Sequence, residues 1–277
     1  MKVAFWSNAR GKSCVTSNLA CISILSILAS GGPDKRTIIF ENHQNIINLG
    51  NILISPNSKN EVRENNNYCV EQGLSKVLCH IENGRELTGE EIFHYSEQYL
   101  GKQLFYFPTD GVKNAEVLEY QMERDCVQTM QYLERYSSRI FVDTAAAALV
   151  SSRKILRQAD VIAVNLSQNQ SMLDHFFGNY SSIQKKAFYI IGNYDENVNL
   201  TRGKIMRKYG IPGQQIAVIP HCAQFSDALS EGTTIPFLLG NYSCGEESPN
   251  YPFMQGAKEA AQLFENHLRK VREGSGL

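Results

Sequence analysis

No charge of one sign dominates this 277-residue chain: 27 basic residues stand against 28 acidic ones, for a formal net charge of −1. That balance disfavours wholesale electrostatic capture of nucleic acid or of an anionic membrane, while leaving room for a local basic face. No apolar run approaches the roughly 18 residues of a membrane span; the longest apolar helical candidate, Leu19–Ala29, is interrupted by serines. The opening residues Met1–Trp6 are too few for the apolar core of a signal peptide and are soon followed by Arg10 and Lys12. No Cys-x-x-Cys pair occurs among the scattered Cys14, Cys21, Cys69, Cys79, Cys126, Cys222 and Cys244, and their odd number argues against a disulfide framework. The six histidines lack the His-x-x-x-His spacing of a zinc site. These absences lead to the expectation of a cytoplasmic protein with reduced thiols, no stable membrane insertion and no structural zinc.

What is present is alternation. Short β-branched and aromatic runs at Lys2–Trp6, Thr37–Glu41, Gln103–Pro108, Arg139–Asp143, Val161–Asn165, Ala187–Gly192 and Gln215–Ile219 predict strands. Each is nearly continuously apolar, the pattern of strands covered on both faces. Amphipathic segments lie between them: Ser13–Ala29, Glu71–Ile81, Glu116–Tyr136, Ser151–Gln158, Ser171–Tyr180, Leu200–Tyr209 and Ala223–Ser230. A last helix, about 252–272, aligns Phe253, Ala257, Ala260, Ala261, Phe264, Leu268 and Val271 on one side. Repeated βα units predict a mostly parallel sheet with helices on both faces. The least regular stretch, Asn42–Asn67, is rich in asparagine and predicts a loop. No linker or repeat divides the chain, so one domain over residues 1–277 is expected.

The amino terminus is the most informative segment. A strand runs into Ser7-Asn8-Ala9-Arg10-Gly11-Lys12-Ser13 and then a helix, the context a phosphate-binding P-loop needs. Gly11 lets the backbone approach a phosphate, and the first helical amides, from Ala9 to Cys14, offer N–H donors at the positive end of the dipole. Lys12 reaches the β- and γ-phosphates, and the Ser13 hydroxyl ligates Mg²⁺. A plain strand–turn–helix with an exposed lysine is the simpler reading. Downstream, Arg139-Ile140-Phe141-Val142-Asp143 is an apolar strand ending in an acid. Asp143 would hold water on Mg²⁺ opposite Ser13, in the manner of a Walker B acid, or else cap a following helix. The fold class is therefore α/β, a mostly parallel sheet between two helical layers with a phosphate loop after its first strand.

With these motifs in order, the chain resembles the ParA/MinD family of deviant Walker A ATPases, with most similarity to its atypical TadZ/CpaE-like branch. The resemblance rests on Gly11-Lys12-Ser13 with Thr16-Ser17-Asn18-Leu19-Ala20, on Phe141-Val142-Asp143-Thr144 and on Ala159-Asp160-Val161-Ile162-Ala163-Val164-Asn165. It continues through Ile190-Ile191-Gly192-Asn193-Tyr194, Val218-Ile219-Pro220-His221 and Asp227-Ala228-Leu229-Ser230-Glu231-Gly232, so that it spans about residues 1–240. It implies a P-loop NTPase-like three-layer sandwich with a mostly parallel sheet of seven or eight strands, and an ATP–Mg²⁺ site. Equally implied are a face-to-face homodimer with nucleotide at the interface, and protein partners of a localisation or assembly system such as pilus or secretion machinery. It also implies that Asn193, Pro220 and His221 frame the adenine.

Four departures qualify that implication. The family's signature lysine, which crosses the dimer to the partner's phosphates, falls on Ser7, and Arg10 could replace it only in cis. Trp6, Asn8 and Ala9 stand where the loop's first glycines are expected, which restricts the turn. The switch aspartate that orients attacking water maps near Glu41-Asn42-His43-Gln44, making Glu41 the candidate. The glycine of the second switch is Ala147. A trans-acting cation is worth ~10³–10⁵ in phosphoryl-transfer rate, so its loss predicts weak or absent hydrolysis with binding retained, Lys12 and Glu41 being the catalytic candidates.

Other features suggest rival readings. Arg202, Lys204, Arg207 and Lys208, with Arg269, Lys270 and Arg272, would suit the non-specific DNA contact of an active plasmid or mobile-element partitioning ATPase, although a solvated face is the commoner reason for such residues. A metabolic ATP-dependent enzyme on the same scaffold would need a substrate pocket beside Asn42–Asn67. Phe93, Tyr95, Tyr99, Phe105, Tyr106 and Phe107 gather at one junction and read as core.

Overall fold

In the computed structural model, the described residues are 1–9, 11, 13–30, 36–54, 73–109, 112, 114–146 and 149–275. Arg10, Lys12, Ala147 and residues 55–67 of the asparagine-rich stretch lie outside them. The strands are β1 (Lys2–Trp6), β2 (Thr37–Glu41), β3 (Glu97–Tyr99), β4 (Leu104–Phe107), β5 (Arg139–Asp143), β6 (Val161–Leu166), β7 (Ala187–Tyr194) and β8 (Ile216–Pro220). They form one eight-stranded sheet in the order β3-β4-β2-β5-β1-β6-β7-β8. Every pairing is parallel except β3 with β4. Eight strands and a mostly parallel sheet meet the expectation. The antiparallel edge strand was not foreseen, because three half-exposed residues carry no alternation that a window can detect.

Helices cover both faces. On one side lie α1 (Val15–Ser30), α2 (Leu49–Leu53), α10 (Ala223–Glu231), α11 (Thr234–Asn241) and α12 (Tyr251–Ser275). On the other lie α3 (Leu74–Glu82), α4 (Gly89–His94), α5 (Ala115–Glu134), α6 (Val150–Gln158), α7 (Gln170–Asn179) and α9 (Arg202–Tyr209), with the one-turn α8 (Ser181–Gln184) beside α7. Successive strand residues feed opposite layers: Val3 and Phe5 pack toward α1 and α12, Ala4 and Trp6 toward α7. This is why both sets are apolar. The first layer centres on Phe264 of α12, whose ring meets Phe5, Phe141 and Phe188 at 5.7, 5.8 and 5.2 Å. The predicted stripe of α12 is buried as drawn, with Val271 at its margin.

Four short helices escaped the sequence reading for physical reasons: the one-turn α8 is too short to show a period, and α2 lies inside the stretch expected to be a loop. Helix α2 is five residues, α4 depends on a Thr88–Glu91 capping box rather than on periodicity, and α11 follows α10 after a single glycine turn at Gly232. The aromatic junction is core, as expected: Phe93 lies 4.3 Å from Phe105, and Tyr106 and Phe107 are buried.

Candidate functional site

The carboxyl ends of parallel strands are where open α/β sheets receive ligands, and there the predicted residues converge. Strand β1 ends at Trp6, whose indole turns into the far layer against Phe176 and Tyr180, 6.4 and 5.2 Å away. The loop that follows is therefore not filled by the indole. Ser7 is fully buried and its hydroxyl accepts the Ala9 amide at 3.3 Å, while Asn8 donates to the Met172 carbonyl at 3.1 Å. Gly11 takes φ +71, a left-handed turn that favours glycine, and nothing lies within 4 Å of the Cβ it lacks. Ser13 is buried just ahead of α1, and Cys14 adopts φ 55. Burial pushes the Cys14 thiol above its usual range, so it is not an activated nucleophile.

Two asparagines that sequence reasoning did not assign brace this loop. Asn18 donates to Asn165 Oδ1 at 2.7 Å and to the Ser13 carbonyl at 3.4 Å, and Asn165 returns a bond to the Trp6 carbonyl at 3.4 Å. Asn18 lies so close across β7 that a Cβ on Gly192 would sit 2.5 Å from its Nδ2. Next to Gly192, Asn193 holds φ 50 and its Oδ1 lies 2.7 Å from His221 Nδ1, while the His221 amide donates to the Tyr194 carbonyl. Thus Asn193, Pro220 and His221 come together at the tips of β7 and β8.

The acidic side is built by register. Parallel pairing sets Glu41 beside Asp143 and Asp143 beside Phe5. Asp143 is 1% exposed; its Oδ1 lies 3.3 Å from His43 Nε2, and among the described residues its Oδ2 accepts no hydrogen bond. The helix-cap alternative fails, since α6 begins at Val150 with no side-chain cap. Glu41 is fully buried with both oxygens engaged, Oε1 by the Tyr106 hydroxyl at 2.6 Å and Oε2 by the Leu49 amide at 3.1 Å. Desolvation raises its pKa to about 7, with Asp143 adding to the rise and His43 opposing it. Burial alone would lower the His43 pKa, but the hydrogen bond and charge of Asp143, with Glu41, carry it above the ordinary imidazole value. Asn42 locks the turn by donating to Ser151 and Ser152 at 2.9 and 3.1 Å and accepting the Ala145 amide at 2.7 Å.

Glu41, His43 and Asp143 offer one ligand atom each within 4.8 Å of one another. No local histidine spacing could reveal this trio, because a hundred residues of chain separate His43 from Asp143. The orphaned, buried Asp143 oxygen fits an acceptor completed by water on a bound cation, and buried Ser13 precedes the helix whose first amides lack intrahelical partners. The residues present therefore fit a magnesium–phosphate group.

No family model matches the chain, and no curated protein matches it in sequence. Solved structures match it in fold. A ParA family ATPase from Chlorobium tepidum superposes with a TM-score of 0.66 at 14% identity, covering 94% of this chain and 98% of that one. MinD in the MinC:MinD cell division complex of Aquifex aeolicus gives 0.65 at 17% identity, covering 96% of each chain. The septum site-determining protein MinD of Pyrococcus horikoshii, complexed with Mg-ADP, gives 0.62 at 15% identity, covering 95% of each. The chain thus has the α/β fold of the ParA/MinD ATPases.

Proposed function

We propose that this chain is a one-domain, ATP- and Mg²⁺-binding positioning or assembly factor of the ParA/MinD type, with slow or absent hydrolysis. The observation that carries the reading is the pairing of an open glycine turn ahead of α1 with a buried, unpartnered Asp143 oxygen on the neighbouring strand. Ala9, Gly11, Ser13 and Cys14 supply backbone donors and a hydroxyl at the positive end of α1. Lys12, with Arg10 beside it, adds cationic charge, and Asn193, Pro220 and His221 border the base. Magnesium, when bound with the nucleotide, neutralises the β- and γ-phosphates. Asp143 would hold its water shell opposite Ser13.

The same geometry supports weak turnover. Ser7 carries no charge and is sealed, so it cannot serve as a trans cation. Glu41, the candidate for orienting water, has both oxygens committed to Tyr106 and Leu49. Retained binding with impaired chemistry suits a protein whose bound state, rather than its turnover, is the signal. A homodimer and protein partners follow from the same reading; MinD is found with MinC in one matching structure. Pilus or secretion-machinery localisation, on the TadZ/CpaE-like pattern, is the finer version. The DNA-partitioning alternative draws less support, since Arg202 donates to the carbonyls of Gly213 and Ile216 and Lys208 pairs with Asp174. No described helix is long and apolar enough to cross a membrane.

The test is calorimetric titration with Mg-ATP, followed by a turnover assay. Saturable binding to the native chain, lost in Lys12→Ala, supports the reading; absence of binding overturns it. Turnover at ordinary kinase rates, roughly 1–100 s⁻¹, overturns the claim of slow hydrolysis. Sedimentation with and without Mg-ATP decides whether dimerisation depends on nucleotide.

A further inference from the structure

At the opposite end of the sheet, where parallel strands begin, a cavity of about 310 Å³ opens between α1, α12 and the start of β5. That volume reaches the lower range of small-ligand sites. Arg139, the first residue of β5, lines it and is 4% exposed. Its Nε donates to Thr37 Oγ1 at 2.7 Å and its Nη1 pairs with Glu265, but Nη2 has no partner among the described residues. Ser26 of α1, another lining residue, carries a second buried atom without a partner among the described residues, its hydroxyl. Buried polar groups are normally satisfied, so two unpartnered polar atoms on residues that line one space mark an unfilled role.

The charge around the space gives the missing partner its sign. Arg139, Arg269 and Arg272 line the cavity against Glu265 and Glu273, leaving one cation in excess. Met1 also lines it, but its amine is engaged by Glu134 at 2.8 Å. Among the described residues, Arg272 forms no ion pair, and its charge joins burial in holding the Arg139 guanidinium below its usual range. An anion relieves both the unpaired donor and this like-charge repulsion. Guanidinium forks match carboxylate and phosphate oxygens, and Ala29 and Leu268 add an apolar wall.

We propose that this cavity binds a small organic anion, its carboxylate or phosphate-ester group held by Arg139 with Arg269 and Arg272. Its short aliphatic part lies against Ala29 and Leu268, and the Ser26 hydroxyl donates to a ligand oxygen. The site is separate from the nucleotide site and does not rest on it.

The test uses butyrate, hexanoate, butyl phosphate, acetate and inorganic phosphate as probes, titrated at constant ionic strength by calorimetry and thermal shift. Two variants leave the buried Arg139 intact. Ala29→Phe, on the exposed face of α1, closes the mouth of the cavity, and Arg269→Ala/Arg272→Ala removes two exposed cations. Circular dichroism verifies the fold. One-site binding of an alkyl carboxylate or alkyl phosphate is expected, at least about tenfold tighter than acetate or inorganic phosphate. It is lost in Ala29→Phe and weakened about tenfold in the double variant. The better of the two alkyl probes identifies the head group. The proposal is overturned by no saturable binding up to about 10 mM, by inorganic phosphate binding as tightly as the alkyl probes, or by affinity unchanged in both variants. Loss of probe binding in Lys12→Ala overturns it as well, by moving the ligand to the phosphate loop.

Discussion

Strand β5 is only five residues long, yet it carries an unsatisfied buried charge at each end: Arg139 Nη2 where it begins and Asp143 Oδ2 where it stops. The two differ in how the protein compensates them. Arg139 is paired directly with Glu265 and lies over the Phe141 ring at 5.4 Å, so its charge is built into the packing of α12 on the sheet. Asp143 has only the His43 imidazole on one oxygen and shares its surroundings with a second acid, Glu41. One end is a structural ion pair with a spare donor; the other is an acid crowded by a like charge. The difference teaches that equal burial does not mean equal role. A charge whose main partner is built into the packing serves the scaffold first, whatever its spare donor binds, whereas one crowded by a like charge depends on a ligand for its compensation.

The largest expected effect breaks the scaffold end. Replacing Arg139 with Met leaves Glu265 facing an apolar partner and should cost about 3–5 kcal/mol, measured by urea denaturation. Loss below about 1 kcal/mol would mean that the pair is replaceable and that the two ends of β5 are alike. At the other end the expectation concerns pH. Glu41 is fully buried with its pKa raised to about 7 from 4.5, so the folded state holds a proton that the unfolded state releases. Stability therefore falls as pH rises through this window, by up to roughly 3 kcal/mol. His43, also raised, contributes in the same direction until it too is deprotonated. In Glu41→Gln the decline between about pH 5 and pH 8 should shrink markedly, as read from denaturation midpoints in metal-free buffer. An unchanged slope would show that Glu41 is not the group responsible.

What the sequence made legible follows this same division. Asp143 and Ser13 could be picked out because an apolar run ending in an acid and a Gly-Lys-Ser turn are local patterns, and β1, β5 and α12 needed only periodicity. Glu41 is picked out by the family's switch aspartate, which maps near it, but its environment is not legible, since the Tyr106 and Leu49 bonds come from separate segments. His43 stood in the segment read as a switch, without a role, because its partner lies on another strand. The start of β5 was unreadable for the same reason. Ser26, Arg139 and Glu265 meet only after α1 and α12 pack together; contrary to the expectation of an amphipathic helix, α1 is buried almost all around and has no stripe to show which face looks where. Patterns within a strand or helix survive in one dimension; contacts across layers do not.

A smaller effect sharpens the ligand end. Asp143→Asn keeps an acceptor for His43 and removes the like charge beside Glu41, so the ligand-free protein should change stability by less than about 1 kcal/mol, or gain. Mg-ATP affinity should fall about ten- to a hundredfold, as expected when a charge-assisted contact is lost. A large loss of stability would place Asp143 in the scaffold with Arg139, and the comparison would fail.

The smallest effect isolates burial as the variable. Lys208 and Asp174 pair at 2.9 Å on the surface, with the Tyr209 hydroxyl donating to the same carboxylate oxygen at 2.7 Å. Both charged side chains are about half exposed, at 47% and 51%. The pair is no longer than many buried ones, but water screens it and both chains give up freedom to form it. Lys208→Ala should therefore leave the denaturation midpoint nearly unchanged. Because Lys208 belongs to the basic set on α9, the same variant measures whether that face matters to nucleic acid. If an exposed cation already held by Asp174 is part of a DNA surface, its loss lowers duplex affinity at low salt and flattens the salt dependence by about one unit of slope. Unchanged stability with unchanged DNA affinity leaves this pair as solvated surface, and leaves burial rather than ion pairing as what separates Arg139 from Lys208.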